Sequence, residues 1–326
     1  MFQPIKRGPK MVLAIVSILS LAYCQSPPSS QADQEVEARK ASVSSTCGDS
    51  LDIPLPTNCR EIEVFHPFEG LKNFREFAYS SQEPPLATPG KLYRSDALHA
   101  LTEEDIAKMT EMGIRTIVDF RSAEEMEQYP DRVIPGTQTI HLPIGRNPSE
   151  VKELLPPEMI SEIRALFIAG NVEAVDSLLE SAHIDIAAAR IERYQEFVTE
   201  FVKPYGEFMR ILADTAHYPV LYHCQGGKDR TGFAGAMVLG ALGYGDSEII
   251  RDYLTTNLYQ AQDLQAQWEK SSQKLRPAIG AHEAQMMAAL HTVQTQYGSF
   301  NQYLVEGLGL TEVEIRQIRE ALLPVQ

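Results

Sequence analysis

Basic residues are scarce in this 326-residue chain. Twenty-nine Lys and Arg stand against 44 Asp and Glu, a formal net charge of −15. That balance excludes broad binding to nucleic acid, because phosphate backbones are held by dense Lys and Arg. If the chain handles a phosphorylated substrate, its positive charge must be gathered in one place. Cysteine is sparse too: four residues are too few for a scaffold built on disulfides, so each needs its own explanation. Tryptophan occurs once, at Trp268. No internal repeat is visible, and no hydrophobic run reaches the roughly 20 residues that span a bilayer. What is present is ordinary globular material, 44% hydrophobic and 8% aromatic, enough for one large domain or two small ones.

The first residues read as an export signal. Lys6, Arg7 and Lys10 form a basic opening, and Met11 to Ala22 is a short apolar stretch. Leu21-Ala22-Tyr23-Cys24 resembles a bacterial lipoprotein signal with Cys24 as the lipidated residue, although Tyr23 stands where a small residue is usual. Ordinary cleavage after Ala22 is the competing reading. We divide the chain into an export signal (1–23), a flexible tether (24–60) and a folded domain (61–326). The tether is rich in Ser, Pro, Gln and Glu, and it cannot bury enough apolar surface to offset its ordering entropy. This places the protein outside the cytoplasm, in the periplasm or cell envelope, tied to a membrane through its N-terminal lipid. In that oxidising compartment Cys47 and Cys59 are the natural pair. Such a short loop would be stabilised by roughly 3 kcal/mol. Two free thiols are the alternative.

Four short apolar segments read as strands: Leu92–Arg94, Thr116–Phe120, Thr139–Leu142 and Val220–His223. Helical patterns separate them, which predicts an α/β fold with a mainly parallel central sheet flanked by helices. Thr102 with Asp105 is close to a capping box, and Thr311 with Glu314 is one, opening a helix to about Leu323. Residues 148–217 are helical in pattern, an insertion before the last strand. Ile191, Tyr194, Val198, Phe201, Tyr205, Phe208 and Leu212 recur there at three- and four-residue spacing, and Pro204 should kink or break the run. The small apolar stretch 231–242 predicts a helix packed closely on the sheet.

Chemistry concentrates at the junction between the last strand and that helix. The residues run His223-Cys224-Gln225-Gly226-Gly227-Lys228-Asp229-Arg230-Thr231-Gly232. The loop must turn tightly, and Gly226 and Gly227 permit the angles this needs. Successive backbone N–H groups at a helix N-terminus make an anion cradle, formed here by Gln225, Gly226, Gly227, Lys228, Asp229 and Arg230. Arg230 can grip two oxygens of a phosphate with its planar fork. Cys224 sits at the base of this field. Only a thiolate attacks, and helix N-termini with nearby cations bring thiol pKa values from about 8.5 to roughly 3.5–7.5. A drop of about 3 units is worth roughly 4 kcal/mol to the anion. Such a thiolate can attack phosphorus in line and form a cysteinyl-phosphate, and the Thr231 hydroxyl can ease the sulfur's departure. A Walker-type loop is excluded, because Asp229 follows Lys228 where Ser or Thr is needed. The Cys and His residues show no zinc-ligand spacing, and the chemistry calls for no metal or cofactor.

The decapeptide resembles the signature of cysteine-dependent protein tyrosine phosphatases. The form His-Cys-x-x-Gly-Lys-Asp-Arg-Thr-Gly looks like the atypical bacterial tyrosine and dual-specificity group, several of which are secreted and also act on phosphoinositides. Asn73-Phe74-Arg75, Leu92-Tyr93-Arg94-Ser95, Asp119-Phe120-Arg121-Ser122, Asp252-Tyr253-Leu254 and Tyr297-Gly298-Ser299 extend the resemblance over roughly residues 62–325. Gly226 replaces a usual Ala, and Glu76-Phe77-Ala78 a usual Asp-Leu-Gly. The resemblance implies a cysteinyl-phosphate mechanism with a phosphorylated protein or a phosphoinositide as substrate.

A leaving phenol needs a proton, and no Trp-Pro-Asp segment supplies it. Two aspartates compete. Asp119 ends a strand beside the site, and the resemblance favours it; it can also be read as a turn residue capping the next helix. Asp229 lies in the loop, where proximity to the anion should raise its pKa and keep it protonated. Its alternative is a structural partner for an Arg. Lys228 suits substrates with several phosphates, or it is a solvent-facing side chain that adds to the local field. The helical region is a lid over the pocket or a packing subdomain. A non-catalytic phosphate-binding module and a sulfurtransferase are rivals, against which Cys224 and Arg230 both stand.

Overall fold

The computed structural model describes residues 53–56, 59, 62, 64, 67–77, 86–145, 162–163, 165–166 and 169–324. The export signal, Cys24, Cys47 and most of the tether lie outside the described residues, as does part of the 148–217 region. Cys59 is disulfide-bonded and Cys224 is free. Among the described residues no helix is long and apolar enough to cross a membrane.

Five strands form one sheet: β1 (Arg75–Glu76), β2 (Leu92–Ser95), β3 (Thr116–Asp119), β4 (Gln138–His141) and β5 (Val220–His223). Their order is β1-β2-β5-β3-β4, parallel except for the antiparallel edge β1. β5 is central, and Ser95, Asp119 and His223 end β2, β3 and β5 at one level. β3 and β5 are buried along their whole length, because helices cover both faces. β4 is an exposed edge. The four expected strands are therefore present within a residue or two. The antiparallel edge is too short to leave a periodic signal.

The helices are α1 (Glu103–Glu111), α2 (Ala123–Gln128), α3 (Val172–Ser181), α4 (Ile186–Thr199), α5 (Val202–Ala213), α6 (Asp229–Leu242), α7 (Asp246–Tyr259), α8 (Ala261–Glu269), α9 (Glu283–Tyr297) and α10 (Glu312–Leu322). Both expected capping boxes close, at Thr102 with Asp105 and at Thr311 with Glu314. The long helical pattern divides at Glu200–Phe201, ahead of Pro204. Pro204 sits in the first turn of α5, where a missing N–H costs nothing.

Within the inserted region, α4 and α5 belong to the main core. Tyr194, Phe197, Val198, Tyr205, Phe208 and Leu212 are buried there against β5 and α6. The Phe233 ring of α6 meets Tyr205 edge-on at 5.1 Å and stacks on Phe197 at 5.9 Å. Such pairs add about 0.5–1.5 kcal/mol each beyond their buried area. α3 packs elsewhere, in a satellite cluster of Val175, Leu179, Ile184, Ile186, Leu275 and Ala278.

Candidate active site

The loop 224–230 leaves the end of the central strand and feeds the N-terminus of α6. Its carbonyls are held from outside. Gln225 O accepts from Ala97 N at 3.2 Å. Gly226 O accepts from Asn73 Nδ2 at 3.1 Å and Gln260 Nε2 at 3.2 Å. Gly227 O accepts from Asn73 Nδ2 and Arg94 Nη2, both at 3.0 Å. With the carbonyls turned outward, the amide N–H groups are turned to the other face, as an anion cradle requires. Only Gly227 needs to be glycine. Its φ is +63°, and a Cβ there would lie 2.5 Å from Ser95 O. Gly226 has neither a positive φ nor a neighbour within 4 Å, so its replacement of Ala is sterically free and it is not the turn residue expected.

The supports come from segments whose roles sequence reasoning missed. Arg94 is wholly buried, and its Nη1 pairs with Asp252 at 2.5 Å. Arg75 holds Asn73 Oδ1 and donates to Thr256 Oγ1 at 3.1 Å. Asn73, Arg75, Arg94 and Asp252 thus form one brace behind the loop. They stand inside the short segments singled out above, which was the available signal.

Cys224 is buried, 2% exposed, at the bottom of the loop. The Thr231 hydroxyl is buried in the first turn of α6 and has no hydrogen-bond partner among the described residues. Arg230 makes a bidentate pair with Glu125, at 2.6 and 2.7 Å, and its Nη1 also reaches the Phe120 and Ile144 carbonyls at 3.3 and 3.4 Å. Burial alone would lower the Arg230 pKa, but Glu125 outweighs it and drives it up. Glu125 closes a capping box with Ser122, whose N–H donates to it at 2.8 Å. Ser-x-x-Glu at 122–125 was the signal that could have found it.

Asp119 is wholly buried on β3, level with His223. It accepts from Arg121 Nε at 3.0 and 3.1 Å, from Arg121 Nη2 at 2.8 Å and from the Arg121 N–H at 2.8 Å. Burial would raise its pKa, but His223 and Arg121 hold it below the usual carboxylate range. It does not cap the next helix; Ser122 does. Arg121 is shared with Asp131, at 2.6 Å. His223 Nε2 lies 3.3 Å from Asp131 and 3.9 Å from Asp119. Burial lowers the His223 pKa, and these carboxylates more than restore it, so it is raised. Asp119, Asp131 and His223 bring their ligand atoms within 4.8 Å of one another. The Arg121 guanidinium in contact with both carboxylates supplies the positive charge this cluster calls for.

Asp229 departs from expectation. Its carboxylate pairs with Arg190 and accepts from Tyr194 Oη at 2.7 Å, both from α4, and it lies 3.6 Å from Lys228 Nζ. Burial would raise its pKa, but Arg190, Lys228 and the Tyr194 hydroxyl hold it well below the usual range. The expected protonated acid is an ionised partner for an arginine. Lys228 does not face solvent either. Its Nζ donates to Gly280 O at 2.7 Å and its side chain is 12% exposed. Burial pushes its pKa down to about 8, against the pull of Asp229.

A free thiol under a helix N-terminus, ringed by outward-held carbonyls and flanked by a buttressed arginine, defines a cysteine-dependent phosphatase. Residues 66–324 match the tyrosine phosphatase family, and the chain belongs to it. It is similar to the triple specificity protein phosphatase PtpB of Mycobacterium tuberculosis, 29% identical over 275 residues that cover 78% of this chain and 97% of that protein. It is also similar to a tyrosine-protein phosphatase of Nostoc commune, 25% identical over 70% of this chain and 73% of the relative.

Proposed function

We propose that this phosphatase hydrolyses phosphotyrosine in proteins through a cysteinyl-phosphate on Cys224. The observation that carries this reading is the placement of Cys224, free and buried below a loop whose Gln225, Gly226 and Gly227 carbonyls find donors outside. In the first step the Cys224 thiolate attacks phosphorus, the bond to the leaving oxygen breaks, and that oxygen takes a proton. Arg230 and the loop N–H groups hold the equatorial oxygens. We assign the proton to Asp119. Its Arg121 partner is divided between two carboxylates, and an incoming phosphate dianion raises the pKa of a neighbouring carboxyl. In the second step water attacks phosphorus, sulfur leaves as thiolate with help from the Thr231 hydroxyl, and the water's proton returns to Asp119. Buried His223 orders the strand end through Asp131 and Asp119.

A second reading, phosphoinositide hydrolysis on the same loop, is favoured by Lys228, an additional cation in the loop. The leader and Cys24 support export and lipid attachment to a membrane, with Cys47 as the partner of Cys59; Cys24→Ser should then move the enzyme from the membrane to the soluble fraction. An activity panel over phosphotyrosine, phosphoserine, phosphoinositides and inositol phosphates tests the substrate. Cys224→Ser must abolish turnover, and unchanged turnover in that variant sinks the mechanism. Asp119→Asn should lose more activity on an alkyl than on an aryl phosphate; equal losses would remove it as the donor.

A further inference from the structure

Asp229 poses a physical problem. It occupies the first turn of α6, inside the loop that must receive a phosphate dianion. A carboxylate beside that dianion opposes binding unless its charge is cancelled locally. The groups facing it come from every packed element. Arg190 and Tyr194 lie on α4, Lys228 is its neighbour in the loop, Tyr253 stands on α7, and Gln285 and His282 sit at the start of α9. Arg190 is 3% exposed on its side chain and touches both Asp229 and Gln285 Oε1, the latter at 3.2 Å. Tyr194 Oη lies 2.7 Å from Asp229 and 2.6 Å from Tyr253 Oη. Tyr253 in turn donates to Gln285 Oε1 at 3.2 Å, and Gln285 Nε2 donates to Pro277 O at 2.7 Å. Lys228 is engaged by the Gly280 carbonyl, and His282 by the carbonyls of Arg276 and Ile279. The cation in closest contact with Asp229 is therefore Arg190, with Lys228 Nζ farther off at 3.6 Å.

We propose that Arg190 and Tyr194 are positioning residues of the phosphate loop, which clamp the Asp229 carboxylate and cancel its charge before substrate arrives. This rests on the loop being the phosphate site. Asp229 is then a fixed negative post that ties the loop to α4, and α4 sets the loop's charge. The clamp fits the burial of Arg190 and Tyr194: an arginine placed only for packing would not be fixed to a carboxylate at the mouth of an anion site.

Arg190→Gln leaves that carboxylate without its main counter-charge. With full-length protein and an aryl phosphate, KM should rise about tenfold with kcat changed less than about threefold, since uniform binding is what is lost. The dissociation constant of inorganic phosphate, read by calorimetry, should rise by a similar factor. The loss should shrink at acid pH, because Asp229 then takes up a proton at higher pH and its protonation removes the opposing charge. Arg190→Lys should recover most of the loss. The decisive variant is Arg190→Gln with Asp229→Asn, which restores the charge balance and should bind phosphate more tightly than Arg190→Gln alone. If the two losses simply multiply, or if phosphate affinity stays unchanged in Arg190→Gln, the clamp is overturned. Should Arg190→Gln fail to fold, Tyr194→Phe decides: it removes the hydroxyl that donates to Asp229 and should weaken phosphate affinity, and an unchanged affinity overturns the clamp. Calorimetry also reads the clamp if wild-type enzyme proves inactive on phosphomonoesters, an outcome that would sink the functional reading instead.

Discussion

The two flanks of the phosphate loop solve the same problem with opposite charges. On the sheet side, Glu125 of α2 buttresses Arg230, the residue to which we assign the grip on phosphate. On the helical side, Arg190 of α4 restrains Asp229, the residue next in the chain. One pair holds a cation ready for substrate, and the other keeps an anion from opposing it. An acidic protein with few cations thus spends two arginines and two carboxylates on one loop, so the local field depends on pairing more than on net charge.

Removing Glu125 should break this comparison most strongly. Breaking a buried ion pair by taking one partner costs about 3–5 kcal/mol, and this pair is slightly open to solvent, so the lower end applies. Glu125→Ala should lower kcat by about a hundredfold or more, as Arg230 loses its fixed fork at the transition state. Steady-state kinetics beside Arg190→Gln would separate a kcat effect from a KM effect. If both variants act on KM alone, the two flanks are equivalent and the contrast fails.

The next effect concerns Lys228, which the Gly280 carbonyl holds at 2.7 Å and which lies 3.6 Å from Asp229. Its charge is present below its pKa of about 8 and is lost as pH rises through that value. Phosphate affinity should therefore weaken above about pH 8 in the wild type, by several-fold at most. In Lys228→Met that alkaline loss should vanish while affinity below pH 8 is already reduced. An alkaline limb that persists unchanged in the variant would assign it to another group.

The anchor of Lys228 leads back to the tether. Asn257 donates to Pro54 O at 2.6 Å and to Ala281 O at 2.8 Å, and it accepts from Ala281 N at 2.7 Å. It thereby fixes the turn whose Gly280 carbonyl holds Lys228. Asn257→Ala should cost about 1–3 kcal/mol of stability for the buried groups left over. It should raise KM two- to threefold by loosening Lys228, a modest share of what a hydrogen bond to a charged group is worth. A chemical denaturation curve and kinetics on the same sample would check both. Stability lost with KM unchanged would detach the tether end from the site.

The sheet flank was largely legible in the sequence. Strand, loop and helix declare themselves through the apolar Val220–His223 run, the glycines and the small residues of α6, and Cys224 with Arg230 follows from their spacing. Glu125 carried a readable Ser-x-x-Glu signal. The helical flank was not legible. Arg190 lies 39 residues before Asp229, so no local pattern relates them. The pKa of Asp229 is settled by that distant contact, which is why reasoning from the loop alone gave the wrong sign. The same limit applies to Asn73, Arg94 and Gln260, whose donors reach the loop from three separate segments.

Pro204 offers the smallest test, on the flank that the sequence read least well. The long apolar run that Pro204 should kink or break does divide, at Glu200–Phe201, with Pro204 in the first turn of α5. The first N–H groups of a helix have no partner within it, so Pro204 forfeits no bond. The change of direction is set by tertiary packing: Phe197 and Tyr205 must both reach Phe233. Pro204→Ala should accordingly change stability by no more than about 0.5 kcal/mol, with Tm moving by about 2 °C or less. Phosphate affinity should stay at the wild-type value, since α4 and its Arg190 keep their place. A longer helix, read as increased ellipticity together with weakened phosphate binding, would mean that Pro204 sets the junction after all, and that the helical flank is positioned by a local residue as the sheet flank is.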